Sequence, residues 1–98
     1  MTITNKITQQ QREAIEKAVL NIANASSEEE LKLRINEGLQ LRASLIEVIE
    51  EYLKDKLDSA FYFAECACNC GDDKVVKRMN IDEVRRDLYV FDIHIAVE

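Results

Sequence analysis

The chain has 98 residues, 47% of them apolar and 33% charged, and a net charge of −6. That length supports one domain, residues 1–98, and the apolar fraction excludes a disordered chain, which has few apolar residues and a large charge imbalance. The acidity weighs against direct nucleic-acid binding, because phosphate neutralisation needs clustered Lys and Arg, and it suits a protein partner that is itself basic.

No apolar run of about 18 residues occurs, so no membrane span is expected. The start shows no signal-peptide pattern, and three cysteines, an odd number, suit a reducing compartment better than a disulfide framework. A cytoplasmic location is the expectation. There is no Pro and there are only two Gly, Gly38 and Gly71, which favours long uninterrupted elements.

Thr8-Gln9-Gln10-Gln11 fits a capping box, in which the Thr hydroxyl accepts from a backbone N–H and Gln11 reaches back. Behind it Ile15, Ala18, Val19, Ile22 and Ala23 recur on one face, predicting a helix from about Thr8 to Ala25. Ser26-Ser27-Glu28-Glu29-Glu30 is a second start signal, with acids gathered where the helix dipole is positive. The apolar stripe from Leu31 runs through Ile35, Leu39, Leu45, Ile46, Ile49, Leu53 and Leu57. It predicts one helix from Ser27 to Lys56, about 45 Å long. Such a helix overhangs any core this chain can build, so homo-oligomerisation along Leu39, Ile46, Ile49 and Leu53 is expected.

Residues 60–81 are ambiguous. Ala60, Ala64 and Ala67 keep the helical period, whereas the aromatic and Cys-rich composition, ending in Cys70-Gly71-Asp72-Asp73, suits a strand and a turn. Further on, Tyr89, Phe91, Ile93, Ile95 and Val97 alternate with Val90, Asp92, His94 and Ala96, which predicts a C-terminal strand. A helix through Val84, Leu88, Phe91 and Ile95 is the alternative. The expected fold is therefore α+β and mainly α: two helices, the second long, followed by a small antiparallel β element. An all-α helical bundle is the other possibility.

Three groups of residues are candidates for function. Glu37, Glu47, Glu51, Asp55 and Asp58 fall on one face of the long helix. Like charges at i,i+4 destabilise a helix by about 0.2–0.5 kcal/mol per pair, so this row suits either a solvated face or a negative surface offered to a basic partner. Cys66, Cys68 and Cys70 suit either core packing or a thiolate metal or redox site. In a strand the outer two lie roughly 13 Å apart, and in a helix Cys68 points away from its neighbours.

His94, the one histidine, shares a strand face with Asp92, but no nucleophile, oxyanion donor or phosphate loop accompanies it. No catalysis and no cofactor are expected. Lys74, Lys77, Arg78, Arg85 and Arg86 form a basic cluster, diluted by acids, that suits the acidic helix of this chain or of a second copy. These features point to a small acidic protein-binding protein of the inhibitor or adaptor type. A thiol- or metal-responsive regulator and a structural oligomerisation module are the alternatives.

Overall fold

The computed structural model describes residues 7–96, and its elements are four helices: α1 Gln9–Ala23, α2 Glu28–Leu45, α3 Glu51–Asn69 and α4 Lys74–Ala96. The fold is an all-α bundle, with no strand among the described residues, which corrects the expected α+β architecture and its C-terminal antiparallel β element. The physical reason lies in α4. Val84, Leu88 and Phe91 step by four and three residues and are buried, whereas Tyr89 and Ile93 are exposed. A strand face would have gathered residues 89, 91 and 93 on one side. The β-branched and aromatic composition is a weak preference, and packing of the 3.6-residue stripe against α3 overrides it. Val97, the last residue of the expected strand, lies outside the described residues.

The starts of α1 and α2 follow the sequence signals. The Gln11 N–H donates to Thr8 Oγ1 at 3.1 Å and Thr8 N–H donates to Gln11 Oε1 at 2.9 Å, closing the capping box of α1. Ser27 Oγ accepts from the Glu30 N–H at 3.1 Å at the start of α2. Ser26 donates to the Glu30 carboxylate through both its N–H and its hydroxyl, which holds that carboxyl below the usual range. The Val76 N–H donates to Asp73 Oδ1 at 3.1 Å, so Asp73 starts α4. Gly71, with φ 63°, supplies the left-handed residue that the turn after α3 needs.

The expected long helix is broken between Leu45 and Glu51. No Gly or Pro marks the break. Ile46, Val48 and Ile49 put three β-branched side chains into four positions, which lowers helix propensity there. Leu45 and Ile49, on either side of the turn, both enter the core, at 1% and 3% exposure. The pieces fold back on one another, so the overhang that suggested oligomerisation does not arise.

α3 and α4 form an antiparallel pair with the most extensive interface in the molecule. Arg12, near the start of α1, meets Asp92 near the end of α4. Cys68, near the end of α3, donates to the carbonyl of Ala25 just past α1. α1 therefore runs with α3 and against α4. α2 returns on the far side, touching α1 and α3 but not α4. Side chains from all four helices, with Ile7 and Ile49, make one apolar cluster. Gly38 sets the seating of α2, because a Cβ built there lies 2.8 Å from Phe61 Cε1 on α3.

Candidate interaction surface

The helix break divides the expected acidic row. Glu37 stays on α2, pairs with Arg34 at 2.9 Å, and is about half a turn from Leu39. Glu47 lies in the turn between α2 and α3. The other three remain together, because Glu51, Asp55 and Asp58 are spaced by four and three residues along α3 and all are exposed. Tyr62 and Glu65 continue the same face by further steps of four and three, and both are exposed. Glu65 was not among the expected site residues, because it lies beyond the presumed end of the long helix. The row of carboxylates spans about 21 Å from residue 51 to residue 65.

Two of these carboxylates have partners within the chain. Arg42 on α2 holds Asp58 through two hydrogen bonds of 2.5 and 3.1 Å, which raises the guanidinium's proton affinity further. Glu51 lies 3.5 Å from Lys54. Asp55 and Glu65 have no ion pair among the described residues.

Beside the row runs a groove of about 250 Å³, between α2 and α3, lined by Ile22, Ile35, Leu39, Phe61 and Tyr62 with Asp58 and Glu65. Its apolar surface continues over the outer flank of α2 through Leu33. Leu39 is 57% exposed and Tyr62 63%. The groove is open because α2 has no neighbour on this flank. Gly38 and Phe61, in close contact, set the separation of its two walls. The arrangement offers apolar contact bordered by carboxylates. None of the described residues around it brings a nucleophile and a base together.

The expected oligomer face does not survive as a unit. Ile49 and Leu53, at 3% and 0% exposure, belong to the core of their own chain. Ile46 is half-buried in the turn, and only Leu39 remains exposed. The mixture of threes and fours in the sequence stripe recorded the inside of the bundle.

The cysteines lie at the end of α3. Cys70 Sγ points back to the Cys66 carbonyl at 3.0 Å and accepts from Asn80 Nδ2 at 3.4 Å, whereas Cys68 turns toward Ala25. All three are half-buried free thiols. The Cys66 side chain, one turn further along α3, raises the Tyr62 phenol above its ordinary value. No set of three or more His, Cys, Asp or Glu side chains converges to hold a metal ion among the described residues.

Asp92 is engaged by Arg12 and, on a helix, is about 200° away from position 94. The strand face proposed for Asp92 and His94 is thereby lost, and the His94 side chain lies outside the described residues. Among the described residues no helix is long and apolar enough to cross a membrane. Compared with family models, characterised proteins and solved structures, the chain matches none, and its surface is therefore read from geometry and chemistry alone.

Proposed function

We propose that this chain is a protein-binding module, an inhibitor or adaptor, that takes a basic amphipathic segment of a partner into the groove between α2 and α3. The observation that carries this reading is the pairing of an open apolar groove with a row of carboxylates along its edge. Ile35, Leu39, Phe61 and Tyr62 provide the apolar wall. Glu65, which lines the groove, and Asp55, on the same face of α3, have no ion-pair partners among the described residues and provide the charge. Apolar side chains of the partner contribute affinity by leaving water, and its Lys or Arg residues add encounter rate and orientation.

The test uses a fluorescently labelled Leu/Lys amphipathic helical peptide and a Leu/Glu counterpart, followed by anisotropy at several salt concentrations. Wild-type protein is expected to bind the basic peptide, more weakly as salt rises. Leu39→Lys and the pair Asp55→Lys with Glu65→Lys are each expected to weaken binding about tenfold or more. Reversing Glu47, Glu51 and Asp55 together tests the corner end of the acidic row. Equal binding of both peptides, or indifference to all of these substitutions, contradicts the proposal.

A further inference from the structure

We propose that the chain forms a two-fold symmetric dimer by antiparallel pairing of the outer face of α4 with the same face of a second copy. The face consists of Val75, Met79, Asp82, Arg86, Tyr89 and Ile93, separated by steps of four, three, four, three and four residues. That is the 3.5-residue period of a helix seam meant for another helix. All six are exposed, Val75 at 69%, Met79 at 62%, Tyr89 at 61% and Ile93 at 46%. The core of their own chain is served by a different stripe, Val84, Leu88 and Phe91.

The second copy is singled out as occupant by the symmetry of the pattern. Val75 and Ile93 lie nine positions either side of residue 84, Met79 and Tyr89 five, and Asp82 and Arg86 two. A two-fold axis at residue 84 therefore sets Val75 against Ile93, Met79 against Tyr89 and Asp82 against Arg86, each twice. A parallel pairing instead sets Asp82 against Asp82 and Arg86 against Arg86. The central charges thus fix direction and register, at a cost in stability, as buried polar seam residues do. Their match is isologous, one surface patch complementary to itself. Arg86 already holds Glu83 of its own chain and is free on its other side to meet a carboxylate. The two Glu83 and the two Arg85 side chains come near the axis on opposite flanks, which tempers the affinity and suits a reversible dimer.

This dimer does not depend on the groove reading. Because α2 does not touch α4, the groove between α2 and α3 stays open on each copy, and the dimer presents two of them. Two grooves on one particle raise the avidity for a partner with repeated sites.

Sedimentation velocity of the full chain from about 1 µM to about 1 mM tests the proposal, a range that covers reversible association. A concentration-dependent monomer–dimer equilibrium is expected. Asp82→Arg alone and Arg86→Asp alone each set like charges opposite one another and are expected to weaken the dimer about tenfold or more. The two substitutions together restore the opposite charges and are expected to recover most of the loss. Met79→Glu is expected to leave only monomer. Far-UV circular dichroism checks that helix content is unchanged in each variant, as the exposure of these side chains implies. A monomer throughout the range overturns the proposal. So does a dimer insensitive to the single charge reversals, or one dissociated by Leu39→Lys and not by Met79→Glu.

Discussion

Replacing Gly38 by Ala probes how α2 is seated. A glycine inside a helix is less favourable than Ala by about 1 kcal/mol, so on propensity alone the substitution stabilises. The new methyl, however, lies 2.8 Å from Cε1 and 3.3 Å from Cζ of Phe61, while Ile22 Cδ1 at 3.4 Å is in ordinary contact. Forcing a methylene-sized group into a packed contact costs about 1–3 kcal/mol. The net expectation is a loss of up to about 2 kcal/mol. For a domain of this size each kcal/mol moves Tm by about 4–8 °C.

Phe61→Leu removes the two ring atoms that crowd the site, so Gly38→Ala in that background is expected to stabilise by up to about 1 kcal/mol. Urea denaturation of the wild type, both single variants and the double variant yields the coupling, expected at about 1–3 kcal/mol. Equal stabilisation by Gly38→Ala in both backgrounds would refute the argument, because it would mean that α2 does not sit against Phe61.

Two further outcomes follow from burial and charge. Leu53→Ala, at a fully buried position, is expected to lose about 2–5 kcal/mol, whereas Leu39→Asp on the exposed flank is expected to change stability by less than about 0.5 kcal/mol. Thermal denaturation of the two variants separates a core role from an interface role for the former stripe. The Glu30 carboxyl is held below its unfolded value near 4.5 by the Ser26 N–H and hydroxyl. Its contribution is therefore present above that value and lost as pH falls through the folded value. Glu30→Gln is expected to flatten the acid limb of a stability-against-pH curve below about pH 4.5, and an unchanged limb would contradict the assignment.

The starts of α1 and α2 were legible because a cap is a local event. Thr8 with Gln11, and Ser27 with Glu30, announce themselves within four residues, and the structure contains both bonds. The break at residues 46–50 was not legible, because Ile46, Val48 and Ile49 continue the apolar stripe even as their branching weakens the helix. That Leu45 and Ile49 both reach the core across the break is decided by tertiary packing, which the local pattern does not record. The last helix was misread for a related reason. Its inner stripe of Val84, Leu88 and Phe91 is overlaid by an outer one through Tyr89 and Ile93, and together they imitate alternation. Of the acidic row, the α3 portion survived because Glu51, Asp55 and Asp58 lie within one helix. Glu65 and the apolar groove beside it became visible only when α2 folded back.

The central claim, that the flank between α2 and α3 receives a basic partner, is tested most directly by photo-crosslinking. A photoreactive residue at position 39, in the full chain expressed in its native cells, is compared with the same residue at position 16 on α1. The account predicts a discrete crosslink to another protein from position 39 only, enriched in a basic amphipathic segment and lost when Asp55 and Glu65 are changed to Lys. Equal crosslinking from both positions, or a crosslink that survives those charge reversals, would contradict it.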